Sequence, residues 1–235
     1  MITFEERAVA FIDVLGFKGL VDSTTTDYQS LQELSNLVNL LESAVPSLDA
    51  TVDNSVPKHL IPKHIYISDC IILSAPLNDE SRKNYNGLDI VIMRTIQLTH
   101  FFLRSGYLIR GGISVGKVWH TDSNIVGPAY QEAYLLEAKG DKPVVLLSES
   151  AQSIKRWSPR VCLNHNGKVF VNGLHDFYIP GNTDHGVIEQ TYQSYKQLIK
   201  ERLSSQISEG AKSKWQWFEK YLEAESKEGL KWAVA

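Results

Sequence analysis

Apolar positions along the first 150 residues fall into runs whose spacing alternates between strand and helix. Residues 8–13, AVAFID, form an apolar run ending on a carboxylate, which predicts a buried strand; Gly16 then fits a tight turn. From Asp27 to Val45 the leucines at 31, 34, 37, 40 and 41 recur at helical spacing. The stretch 46–58 carries two prolines and reads as loop. HLIPKHIYIS and CIILSA then read as paired strands with Ser68-Asp69 at the hairpin tip, before a polar loop over 76–86. A largely buried helix is expected over 88–104, and a strand over 108–120 with three glycines that imply a bend or close backbone approach. Residues 129–139 read as helix stopped by Gly140, 144–148 as strand, and Ser148 as the cap of a short helix containing Ala151 and Gln152. Weaker strands are expected near 160–163, 168–171 and 176–179. A helical tail follows from about 186, with the aromatic, amphipathic stretch KWQWFEKYLEAE.

The order strand, helix, hairpin, helix, strand is the split βαβ of ferredoxin-like sheets, so the class expected is α+β in a βαββαβ core. Residues 1–155 hold that core, and 156–235 add strands and helices packed on the same domain. With 43% hydrophobic residues in 235, the chain can bury a sizeable core. A formal charge of −3 offers no basic field, so nucleic acid is not an expected partner. Two cysteines form no disulfide framework and favour a reducing compartment. Acidic residues precede the first apolar run, unlike a secretory signal, and no run approaches the roughly 20 residues of a membrane span. A soluble, cytoplasmic protein with no membrane partner is expected.

Asp13 ends an apolar strand, where a carboxylate must be solvated, paired or metal-bound. Alone it reads equally as a cap on the next turn, and Asp69 alone as ordinary turn chemistry. Together they carry more. The first strand and the hairpin lie side by side in a split βαβ sheet, so the two carboxylates converge. Two carboxylates with phosphate oxygens suit Mg2+ or Mn2+. The seven histidines show no zinc spacing, and neither a Walker loop nor a Ser-His-Asp set is present.

Four segments resemble class III nucleotidyl cyclases in order and spacing: FIDVLGF (11–17), IYISDCIIL (65–73), IRGGISVGKV (109–118) and SNIVGPAYQEAYLLEAKG (123–140). The resemblance covers roughly residues 5–155. It implies that Asp13, Asp69 and the carbonyl of Val14 hold two metal ions, Mn2+ or Mg2+. It also implies that backbone amides of Val14, Leu15, Gly16 and Phe17 cradle a triphosphate, with a basic side chain from among Lys18, Arg110, Lys139 and Arg160. A homodimer with shared sites follows, Asn124 and Gln131 coming from the second subunit. Departures are informative. Ile65 stands where purine cyclases place a base-reading lysine, Asn124 and Gln131 replace the usual pocket residues, and Leu135 stands where an arginine holds the transition state.

The whole pattern looks like the pyrimidine cyclases of Pycsar anti-phage defence, which make cUMP or cCMP for a separate effector protein. That likeness implies UTP, or CTP, as substrate. Tyr66 is then a candidate base contact, equally readable as a plain strand tyrosine, and Asn124 is equally a turn residue. The alternatives are a purine cyclase and a non-catalytic nucleotide-sensing module. The hairpin of diguanylate cyclases is absent, Ser68-Asp69-Cys70 standing in its place.

Overall fold

A strand buried on both faces has to lie inside a sheet, and β1 (Glu5–Val14) is buried along its last eight positions. The computed structural model describes residues 2–24, 28–154, 160–179 and 184–227. After β1 come a short helix α1 (Phe17–Ser23), α2 (Tyr28–Asp49), β2 (Lys63–Ile67), β3 (Cys70–Pro76), α3 (Gly87–Arg104), β4 (Ile109–His120) and β5 (Ile125–Val126). Then follow α4 (Pro128–Lys139), β6 (Val145–Leu147), α5 (Glu149–Ile154), β7 (Cys162–His165), β8 (Lys168–Val171), α6 (His185–Ser204) and α7 (Glu209–Ser226).

The strands order as β2-β3-β1-β4-β6-β8-β7, with β5 paired to β4 off this path. The first four reproduce the order of a split βαβ, β1 lying between antiparallel β3 and β4. The class is α+β, as expected. Alternation along β1 sorts its side chains to two faces. Ala8, Ala10, Ile12 and Val14 pack with α2 and α3 residues such as Leu37, Leu41 and Val91. Val9 and Phe11 face the other way, with Ala129 and Ala133 of α4. A third cluster joins Phe170 of β8 to Tyr195 of α6 and to Trp215, Phe218 and Tyr221 of α7.

Several expectations need correction. Helix α2 runs past Pro46 to Asp49, because Ala44 and Val45 are buried and Asp49 pairs with the buried Arg94 at 2.7 Å. Proline there forfeits one N–H bond, which that packing offsets. Its expected start at Asp27 lies outside the described residues, as does the boundary at 155/156. The strand expected over 176–179 is a 3-10 turn, Asp176–Tyr178, whose first residue is held by Arg160 at 2.7 Å. The strand expected over 160–163 lies two residues later, because Asn166 and Gly167, both at positive φ, form the two-residue turn that sets the β7–β8 register. Helix α1 has no fully buried residue; Phe17 and Leu20, three apart, pack half-buried against the core.

Helix α4 lies directly on β4. A Cβ on Gly112 would sit 2.3 Å from the Ala133 carbonyl oxygen and 2.5 Å from Leu136 Cβ. Gly112→Ala should therefore lower stability by about 2–3 kcal/mol in urea denaturation. Gly19→Ala, where nothing lies within 4 Å of a new Cβ, should leave stability unchanged or slightly raised.

Candidate active site

Asp13 is the next-to-last residue of β1, opposite Cys70 of β3 on one side and Arg110 of β4 on the other. The hairpin between β2 and β3 turns at Ser68, whose φ is +58°, and so brings Asp69 beside the end of β1. Val14 N–H donates to the Asp69 carbonyl at 3.1 Å, which locks hairpin tip to strand end. Ligand atoms of Asp13, Asp69 and Cys70 all lie within 4.8 Å of one another. The Cys70 Sγ is 3.9 Å from Asp13 Oδ1 and 3.8 Å from Asp69 Oδ1.

The cluster has too much negative charge for its burial. Asp13 is 8% exposed. Burial pushes its pKa from 3.8 up to about 6; the hydrogen bond from Arg110 pulls it down, and the charge of Asp69 raises it further. Burial, then the charges of Asp69 and Asp13, push the Cys70 thiol far up, so it stands as a neutral S–H. Two converging carboxylates, one of them reluctant to ionise, form a site that fits a hard divalent cation.

Arg110 is the cation already present. Its Nε donates to Asp13 Oδ2 at 2.9 Å, and its Nη2 lies 2.5 Å from Glu137 Oε1. Glu137 sits on the last turn of α4 and completes the buried stripe of Ala129 and Ala133 at four-residue spacing. Sequence reasoning missed it, although a charge on the apolar stripe of a helix is a readable signal.

The expected phosphate cradle is only half free. Val14 N–H is spent on Asp69, and Leu15 N–H donates to the Leu108 carbonyl at 2.9 Å. The amides left are those of Gly16 and Phe17, where Gly16 at φ +99° turns the chain into α1. Lys18, at that same start, and Lys139 are exposed. Arg160 is held 2.7 Å from both Asp176 and Glu225, outside the site.

Tyr66 does not face the carboxylates. It pairs across β3 with Ile71 and packs in the α2–α3 core, whereas its neighbour Ile65 pairs with Ile72 on the Phe11 face. A one-residue step along a strand reverses the side chain, so Ile65 and not Tyr66 shares the face of Asp13. Asn124 and Gln131 are both exposed. Asn124 follows His120 in the turn beyond β4, its N–H bonded to Thr121 Oγ1 at 3.1 Å. Arg110, beside Asp13, lies at the other end of that strand, about 30 Å away at ~3.3 Å per residue.

The sequence matches no protein-family model and no curated protein. Among solved structures the chain is similar to the adenylyl cyclase CyaB from P. aeruginosa, at 14% identity and a TM-score of 0.49 over 73% of this chain and 95% of that one. It is also similar to the catalytic core of a rhodopsin-guanylyl cyclase with converted specificity, in complex with ATPαS, at 16% identity and a TM-score of 0.47, covering 72% and 95%. A class III adenylyl cyclase-like ATP-binding protein from Pseudomonas aeruginosa matches at 10% identity and a TM-score of 0.43, covering 80% of this chain and 40% of that one. No helix among the described residues is long and apolar enough to cross a membrane.

The raised pKa of Asp13 has a definite consequence. Between about pH 4 and pH 6 the metal-free native state binds a proton that the unfolded chain does not, so stability falls as pH rises through that window. Asp13→Asn removes this penalty. Calorimetry of metal-free protein should show the variant gaining melting temperature over the parent at pH 7.5, with the gain shrinking by pH 5.

Proposed function

We propose that the chain is a class III nucleotidyl cyclase that closes a pyrimidine nucleoside triphosphate, UTP ahead of CTP, into its 3′,5′-cyclic monophosphate with release of pyrophosphate. The observation that carries this reading is the convergence of Asp13 and Asp69 at the end of the central strand, with Arg110 beside them. Asp13, Asp69 and the Val14 carbonyl would hold two divalent ions, Mn2+ or Mg2+, which when bound supply charge neutralisation and acidify the 3′-hydroxyl. The Gly16 and Phe17 amides and the Arg110 guanidinium take the phosphates. The 3′-hydroxyl would give its proton to a solvent water as O3′ bonds to the α-phosphorus, while the bond from that phosphorus to the bridging oxygen of pyrophosphate breaks in line. Ile65 on the site face gives a purine no lysine to read it, which supports the smaller base.

Asn124 cannot reach Asp13 within one protomer, which favours a homodimer in which the second copy brings Asn124 and Gln131. Exposed apolar side chains on the hairpin and on α4 support such a surface: Ile67 is 54% exposed, Tyr134 48% and Leu135 51%. The cyclic nucleotide would signal to a separate effector in anti-phage defence, in the cytoplasm; the motif pattern alone supports that role. A nucleotide-sensing module is the second reading. It is favoured by Leu135, an exposed aliphatic side chain where a catalytic arginine is wanted. A purine cyclase is the third.

Turnover of ATP, GTP, CTP and UTP with Mn2+ tests all three. A cyclic pyrimidine product is expected, reduced at least ~1,000-fold in Asp69→Ala. Triphosphate binding without any product would leave the sensing module standing, and a purine product would overturn the base assignment. For the shared site, Asp69→Ala and Gln131→Ala proteins, each poorly active alone, should regain about a quarter of parental activity when mixed, because half of the dimers then carry one intact site. Recovery of nothing, from two stable proteins, would argue against the shared arrangement.

A further inference from the structure

The guanidinium of Arg110 is shared between two carboxylates of different kind. Arg110 stands opposite Asp13 in the β1–β4 register and gives it a directed hydrogen bond through Nε at 2.9 Å. Its Nη2 lies 2.5 Å from Glu137 Oε1, an oxygen that is buried and receives no hydrogen bond. Glu137 has no freedom to look for another partner. It is 7% exposed, and its helix is seated on β4 with the Ala133 carbonyl over Gly112. A buried carboxylate stripped of its cation is costly, so Glu137 keeps Arg110. Asp13, one of the two carboxylates proposed to take metal, holds the guanidinium by one nitrogen only. The cluster thus holds three carboxylates and one guanidinium, two of the carboxylates touching it, and the excess negative charge fits a first divalent cation before any nucleotide binds.

We infer that Glu137 is a positioning residue for the metal site: by holding Arg110 from the α4 side, it sets how strongly that guanidinium competes with a cation for Asp13. With Glu137 in place, the guanidinium can yield Asp13 and stay neutralised, its fork pinned at the mouth of the site with Nε free for a phosphate oxygen. Without Glu137, Asp13 becomes its one close carboxylate partner, and the cation has a stronger rival. The inference rests on the proposed metal role of Asp13 and Asp69.

The experiment is a titration of the full chain with Mn2+ alone, without nucleotide, following the free-ion electron paramagnetic resonance signal. Arg110→Met should tighten Mn2+ binding about tenfold, by removing the competing cation. Glu137→Gln should weaken binding about tenfold when Arg110 is present, and less than twofold in the Arg110→Met background. A residue that merely braces α4, or attracts the metal by its own charge, would show the same loss in both backgrounds, and that result overturns the inference. No tightening in Arg110→Met overturns it as well. Arg110→Lys guards against misfolding. A lysine keeps the charge but cannot fork between two carboxylates, so the Glu137→Gln effect should shrink there too, and an undiminished effect counts against the inference. If the parent binds no Mn2+ and Asp69→Ala behaves identically, the metal reading itself fails. Mn2+ binding that depends on Asp69 but not on the Arg110–Glu137 pair sinks the inference alone.

Discussion

The whole arrangement turns on the burial of one carboxylate. Asp13 is the next-to-last residue of a strand whose last eight residues are buried, on both faces of the sheet, so the protein cannot move it into water without undoing its centre. What surrounds it follows from that constraint. The hairpin tip is tied to Val14 by backbone, Arg110 comes from the neighbouring strand, and Glu137 holds that arginine from above. A pair of acids at this place costs stability in the empty protein. Sites that store such a cost are those built to receive charge.

The elements that place the site were legible because their signals are local. An apolar run stopped by Asp13, and isoleucine-rich strands around Ser68-Asp69, specify a strand and a hairpin from nearest neighbours alone. The short range of those signals also set the limits. Tyr66 reads two ways in sequence, as base contact or plain strand tyrosine, because a strand without its register leaves the face undetermined; pairing with Ile71 puts it on the α2–α3 side. The sequence 176–179 is apolar enough for a strand but too short for pattern to outweigh the pull of Arg160 on Asp176. Arg160 is one of four basic candidates for the phosphates in the sequence because charge is visible there and its partners, Asp176 and Glu225, are not. Glu137 went unnoticed for the same reason: its meaning lies in Arg110, 27 positions away.

The Phe11 face of the sheet is covered by α4, whose Ala129 and Ala133 pack on Val9 and Phe11. Near Asp13 it carries Ile65, Phe11 and Cys70 from three adjacent strands. The polar groups expected to read a nucleobase sit at the far end of β4 and on the open side of α4. The chain thus places the paired carboxylates in one region and Asn124 in another, and Ile67, Tyr134 and Leu135 are exposed. Under the proposed shared site, a two-fold partner would join them by presenting the same surface reversed.

The pairing of β6 with β8 ties the last third of the chain to the central sheet. Strand β6 lies parallel to β4 on one edge, and on the other edge waits for residues 168–171. During synthesis, a chain emerging from the ribosome therefore has both acids of the site available long before the sheet has its final border. Until the later hairpin arrives, β6 lacks its partner on that side, and Leu146, which packs with Phe170 and Tyr221 in the finished fold, is left uncovered.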